Sequence, residues 1–96
     1  MEIVEISNEA QEDFLDVYSE LYEKNIDYAD HWEREFFKKI ELLETFPYMG
    51  RIVPEAESLR NFRELLIDNY RILYVVGKTK VVVVGIRPSK KPLNIK

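Results

Sequence analysis

The stretch RELLIDNYRILYVV, residues 63–76, decides the fold. Two β-branched and aromatic runs flank Asp68-Asn69, a pair suited to a tight turn, so the stretch reads as a β-hairpin. A loop of those two residues sets Ile67 opposite Tyr70, Leu66 opposite Arg71 and Arg63 opposite Tyr74. One face then carries Leu65, Ile67, Tyr70, Ile72, Tyr74 and Val76, with Arg63 at its edge. That face is almost purely apolar and is expected to pack on helices. The other carries Phe62, Glu64, Leu66, Arg71, Leu73 and Val75, where Glu64 and Arg71 are diagonal neighbours within reach of an ion pair. On an open face such a pair is worth at most about 1 kcal/mol. A guanidinium held on a rigid strand also suits a phosphate or an external carboxylate.

Downstream, KVVVVGI (residues 80–86) reads as a further strand, joined through Gly77-Lys78-Thr79, and Arg87, Lys90 and Lys91 follow it. A three-residue turn would put Arg87 on the face of Arg71 and a two-residue turn on the other; four successive valines leave that register open. The tail RPSKKPLNIK contains two prolines and is not expected to continue a central strand. Upstream, EIVEIS (residues 2–7) reads as a first strand. Ser7 or Asn8 offers a helix N-cap, and Glu9, Glu12 and Asp13 suit the positive helix start. Phe14, Val17, Tyr18, Leu21 and Tyr22 then form an apolar stripe at helical spacing. EKNID (residues 23–27) breaks the pattern, and Asp27 is the expected cap of a second helix. Ala29, Trp32, Phe36, Ile40 and Leu43 form the second stripe, and Trp32, Phe36 and Phe37 read as core. Pro47 and Gly50 end the helical half. The fold class is α+β, in the order β-α-α-β-β-β. A helical hairpin packs on one face of a small, mainly antiparallel twisted sheet.

The chain has 96 residues, 46% hydrophobic and 33% charged, a soluble globular balance. One domain over residues 1–96 is expected. With no cysteine and one histidine, disulfides and thiolate or multi-histidine metal sites are excluded, and neither a metal nor a cofactor is expected. The start MEIVEISNEA has no apolar signal core, and no apolar run is long enough for a membrane span, so a cytoplasmic location without membrane contact is expected. Residues 1–46 carry 14 acidic and 4 basic residues, whereas residues 47–96 carry 4 and 10. The net charge of −4 therefore hides an acidic half and a basic half, which suggests a basic face.

FPYMGRIVPE (residues 46–55), followed by FRELLIDNYRILYVV and a valine-rich strand, resembles the RelE/ParE superfamily of toxins of type II toxin–antitoxin systems. The resemblance covers nearly the whole chain. Its most telling pieces are Gly50-Arg51 after the second helix, Arg63-Glu64-Leu65 opening a strand, and Tyr70-Arg71-x-x-Tyr74 in the next. It implies a toxin that inhibits growth when free and is neutralised by a cognate antitoxin, as a homodimer or a toxin–antitoxin hetero-oligomer. RelE-like members cut mRNA on the ribosome without a metal, a reaction that needs a proton acceptor, a proton donor and cations at the phosphate. Arg71 matches the family arginine, and Arg63, Lys90 and Lys91 are the other cations that would serve a catalytic role. The tyrosine, sometimes preceded by histidine, that many such nucleases place in the final segment is missing from IRPSKKPLNIK. His31 lies in the second helix and does not replace it; Glu55, Glu57 or Glu64 would have to act as base. ParE-like members share the fold and inhibit DNA gyrase by protein contact, and the missing tyrosine and histidine suit that branch. A degenerate toxin that only binds antitoxin is a third reading. On the ParE-like and antitoxin-only readings, the basic face formed by Arg51, Arg71, Arg87, Lys90 and Lys91, with Glu64, would bind target or antitoxin. Arg51 could instead bond the carbonyls at the end of the second helix.

Overall fold

The computed structural model describes residues 3–53 and 62–89. Strand β1 (Ile3–Ile6) leads into helices α1 (Asn8–Lys24) and α2 (Ile26–Thr45), and then into strands β2 (Arg51–Ile52), β3 (Arg63–Ile67), β4 (Tyr70–Val76) and β5 (Lys80–Pro88). The strands form one sheet in the order β1-β5-β4-β3-β2. β1 runs parallel to β5, and the other neighbours are antiparallel. The expected two helices on a mainly antiparallel sheet are thus present. The short β2 at the sheet margin, drawn from the stretch after α2, is an addition.

The helices begin at side-chain caps. Ser7 Oγ accepts the Ala10 N–H at 3.1 Å. Asn25 serves both helices: its N–H donates to the Leu21 carbonyl at 2.8 Å, closing α1, and its Oδ1 accepts from the Tyr28 N–H at 3.0 Å, opening α2. The second cap is therefore Asn25 and not Asp27, which lies in the first turn, where its charge meets the positive end of the helix. A one-residue connection makes the helices antiparallel neighbours. Phe14 lies 4.9 Å from Phe36 between ring centroids, and the Tyr18 hydroxyl donates to Asp30 Oδ1 at 2.9 Å.

The core lies between this hairpin and one face of the sheet. Val17 and Leu21 of α1 and Trp32, Phe36 and Leu43 of α2 are buried against Ile67, Ile72, Tyr74, Val81, Val83 and Ile86. Each such apolar side chain stabilises by roughly 1.5–3 kcal/mol. Trp32 is the largest fully buried side chain, stacked on Phe36 and meeting the edge of Tyr70. Phe37 is a correction: one position round the helix from Phe36, it is 48% exposed and leans on the rings of Phe14 and Phe36 from the margin of the core.

The β3–β4 register is the one the two-residue loop dictates, with Ile67 opposite Tyr70, Leu66 opposite Arg71 and Arg63 opposite Tyr74. Asp68 takes the left-handed φ of 53° that the turn needs and that aspartate tolerates. Its carboxylate also accepts the Tyr28 hydroxyl at 2.6 Å, tying α2 to the turn. The hydrogen bond to Asp68, then burial, push the Tyr28 phenol up to about 12. Because the folded state holds this proton more tightly than the unfolded chain, its contribution to stability is complete below about pH 10 and is lost between about pH 10 and 12. Titration by tyrosinate absorbance should show this late phenol, and Asp68→Asn should move it down toward the ordinary tyrosine range. An unchanged titration in that variant would count against the latch.

The β4–β5 register follows neither simple turn. Gly77 N–H bonds the Lys80 carbonyl at 2.8 Å and Val76 pairs with Val81, so the loop closes over Lys78 and Thr79. Alone, that two-residue loop would send Arg87 to the face opposite Arg71. A bulge intervenes: Tyr74 pairs with Val83 but Leu73 with Gly85, so Val84 is the extra residue and Arg87 arrives opposite Arg71. β5 also runs on to Pro88, past the expected end of the strand. The reason is local. β1 ends at Ile6, opposite Val83. Ile86 N–H points to the flank that β1 has vacated, and Pro88, two residues on, turns its missing N–H the same way, where no ladder bond is lost.

Candidate functional site

The face of β4 turned away from the helices carries Arg71, Leu73 and Val75, because Ile72 and Tyr74 belong to the helix-side core. Leu73 is buried there with Val53, flanked by Phe62 and Val84. Beside this small apolar patch sits Glu64, with Arg51 opposite it on β2 and Leu73 opposite it on β4. Arg51 Nε donates to Glu64 Oε2. Arg71 Nη1 lies 3.6 Å from Glu64 Oε1, which takes no hydrogen bond among the described residues, and Arg71 Nη2 donates to the Ser89 carbonyl at 3.2 Å. The Glu64 side chain is 1% exposed and that of Arg71 12%, whereas that of Arg51 is 67% exposed. The pair is thus not on an open face. One buried carboxylate holds two guanidinium groups, and the trio carries one net positive charge.

The structure separates the other cations. Arg63 lies on the helix side of β3, where its Nη1 donates to the carbonyls of Gly50 (2.7 Å) and Tyr48 (3.3 Å). Its guanidinium sits 5.0 Å from the Tyr48 ring centroid. Arg63 thus bonds carbonyls of the stretch between α2 and β2, while Arg51, instead of bonding the carbonyls that close α2, turns to Glu64 and joins the charged face, the other of its two expected roles. Arg87, opposite Arg71 in register, reaches back over Gly85, and its Nη1 donates to Asp13 Oδ2 on α1 at 2.5 Å. The same Asp13 oxygen accepts the Ile86 N–H at 3.0 Å. Lys90 and Lys91, with Glu55 and Glu57, lie outside the described residues. Arg71 and Glu64 are brought together, Arg51 joins them, and Arg63 and Arg87 are drawn to other carboxylates and carbonyls. From sequence, Asp13 reads only as part of a helix start, since nothing in local spacing links it to a strand more than 70 residues away.

Gly50 is fixed by sterics. A Cβ there would lie 2.5 Å from the Glu64 carbonyl oxygen and 2.7 Å from the Tyr74 hydroxyl oxygen. That hydroxyl accepts the Gly50 N–H at 2.8 Å. Burial raises the Tyr74 phenol above the ordinary tyrosine value, opposed by the Gly50 N–H and the nearby Arg63 charge. The Gly-Arg pair thus joins the two faces: Gly50 rests on Tyr74, and Arg51 turns to Glu64.

Two apolar depressions lie elsewhere. One, of about 190 Å³, is lined by Ile6, Phe14, Leu15, Phe36 and Phe37. The other, of about 570 Å³, is lined by Leu42, Phe46, Pro47, Tyr48 and Met49 at the end of α2. Among the described residues, no group of three or more histidine, aspartate or glutamate side chains is placed to hold a metal ion, and no helix is long and apolar enough to cross a membrane.

An open mixed sheet with one helical hairpin, charged on its far face, is a scaffold that presents surfaces. The model of the ParE toxin of type II toxin–antitoxin systems, parDE, matches residues 4–92, and the chain belongs to that family. A solved structure described as the chromosomal ParDE TA system from P. aeruginosa is similar in fold, with a TM-score of 0.74 at 14% identity, over 94% of this chain and 98% of that one. No curated protein matches the chain.

Proposed function

We propose that this toxin arrests growth in the cytoplasm by binding DNA gyrase, and that a cognate antitoxin neutralises it in a hetero-oligomer. Membership of the ParE toxin family carries the reading. The geometry supports it. Arg63 and Arg71 lie on opposite faces of the sheet, and Arg51, Arg71 and Arg87 are each engaged by a carboxylate, rather than gathered around a site for a scissile phosphate. The final segment also lacks the tyrosine and histidine expected of the nuclease branch. An acidic antitoxin segment complements the basic half of the chain. The test is a supercoiling assay with purified gyrase, run beside a purified translation system. Inhibition of supercoiling with intact mRNA is expected. Ribosome-dependent cleavage that disappears in Arg71→Ala would replace this reading with the endonuclease. No effect in either assay, with antitoxin binding retained, would mark a degenerate toxin.

A further inference from the structure

We propose that the seam between α1 and α2 is the surface on which this toxin meets its protein target, and that it takes a basic, amphipathic segment of that target. The proposal rests on the toxin reading above and gives the target a surface separate from the basic half of the chain.

A row of rings runs along the seam. Phe14, Tyr18 and Tyr22 follow one another at i, i+4 and i+8 on α1, with centroid steps of 6.2 and 5.9 Å, and Phe37 of α2 joins Phe14 at 5.5 Å. The row is open to solvent: Tyr22 is 47% exposed, Phe37 48%, and Leu15 beside it 61%. The core does not need these three side chains, because Val17, Leu21, Trp32 and Phe36 fill it. At one end the row borders the depression of about 190 Å³ lined by Ile6, Phe14, Leu15 and Phe37, which has room for one apolar anchor. At the other, Tyr18 and Tyr22 line a second depression with Ser19 and Glu23. Asp30 Oδ1 accepts the Tyr18 hydroxyl at 2.9 Å. That bond first, then desolvation and the charges of Asp30 and Glu33, raise the Tyr18 phenol above its ordinary value, so both carboxylates lie beside the row. Aromatic rings flanked by carboxylates suit a lysine or arginine side chain, through cation–π attraction and charge complementarity. An apolar pit and a cation-binding shelf on one line fit a segment that carries both kinds of residue. The surrounding charge selects the class of partner. The two helices carry 12 acidic and 4 basic residues. A nucleic-acid backbone or an acidic antitoxin segment is repelled there, whereas a basic protein segment is drawn in.

The experiment measures the affinity of the full-length protein for purified gyrase, with growth arrest on induced expression beside it. Leu15→Lys and Tyr22→Lys set a like charge against a basic segment, at positions exposed enough to keep the fold, which a thermal melt checks. Each is expected to weaken binding by about tenfold or more, with arrest weakened in step. Leu15→Gln and Tyr22→Gln serve if a lysine variant folds poorly. Glu23→Gln combined with Glu33→Gln should weaken binding by about fivefold at low salt and flatten its salt dependence. Lys78→Glu, in the exposed β4–β5 loop, should leave the affinity within about twofold. Unchanged gyrase affinity in both Leu15 and Tyr22 variants overturns the proposal, and sedimentation in which those variants abolish self-association instead would give the seam to a second copy. If the wild type does not bind gyrase, that target falls and arrest alone decides: folded variants that no longer arrest growth keep the seam as the target surface, and variants that arrest fully remove it. A wild type that neither binds gyrase nor arrests growth removes both readings.

Discussion

Replacing Glu64 by glutamine is expected to lower the free energy of unfolding by about 3 kcal/mol, measured by urea denaturation. The carboxylate is buried between two guanidinium groups. Removing one member of a buried ion pair leaves the other charged and desolvated, which costs roughly 3–5 kcal/mol. Arg51, largely exposed, can turn to water, so the cost falls mainly on Arg71 and lies at the low end of that range. The glutamine keeps the size and an acceptor for Arg51, so the loss reports charge and not packing. Because the site is buried, added salt should recover little of it. A double-mutant cycle with Arg71→Met gives the sharper measure. The double variant should lose at least about 1 kcal/mol less than the two single losses together, because side chains that share one contact do not contribute additively. Strict additivity would show that the two side chains do not share one electrostatic unit.

That unit was only half legible in the sequence. The turn at Asp68-Asn69 sets the β3–β4 pairing through local chemistry, and the diagonal of Glu64 and Arg71 follows from it by counting. Arg51 reaches Glu64 through β2, a two-residue strand whose pairing depends on where the chain returns after the segment beyond Val53, and no local pattern encodes that. The helical stripes are legible because a period of 3.6 shows in any long amphipathic run, although Tyr22, the last member of the first stripe, is 47% exposed. Phe37 misled because hydrophobicity alone does not distinguish the stripe from its margin. Placing the second cap at Asp27 treated one good capping residue as the cap, when Asn25 two positions earlier serves both helices. The last strand resisted for a different reason. Val81 to Val84 look alike on either face, and a bulge at Val84 undoes the register that the loop alone would set. Arg87 also leaves the position its Cα suggests, because the glycine at position 85 lets its guanidinium cross to Asp13.

Gly50→Ala should be about as costly as the loss of Glu64, near 3 kcal/mol, and should lower the Tm by about 10 °C or more for a domain of this size. The added methyl would stand 2.5 Å from the Glu64 carbonyl oxygen, which is backbone in a paired strand and cannot step aside. It would also meet the Tyr74 hydroxyl and ring at 2.7 and 2.9 Å, and Tyr74 is fully buried under the helices. Relief requires β2 to draw away from β3, which stretches the Gly50–Tyr74 hydrogen bond, the Arg63 bond to the Gly50 carbonyl and the Arg51 contact with Glu64 together. Gly77 is the internal comparison. A Cβ there would meet only the Lys80 carbonyl oxygen, at 3.1 Å, in an exposed loop, so Gly77→Ala should cost less than about 1 kcal/mol. Equal losses at the two glycines would mean that the contact with Tyr74 and β3 does not govern position 50. A large loss at Gly50 alone would show that the glycine of the Gly-Arg pair is needed for packing, while its arginine supplies half of the charge that holds Glu64.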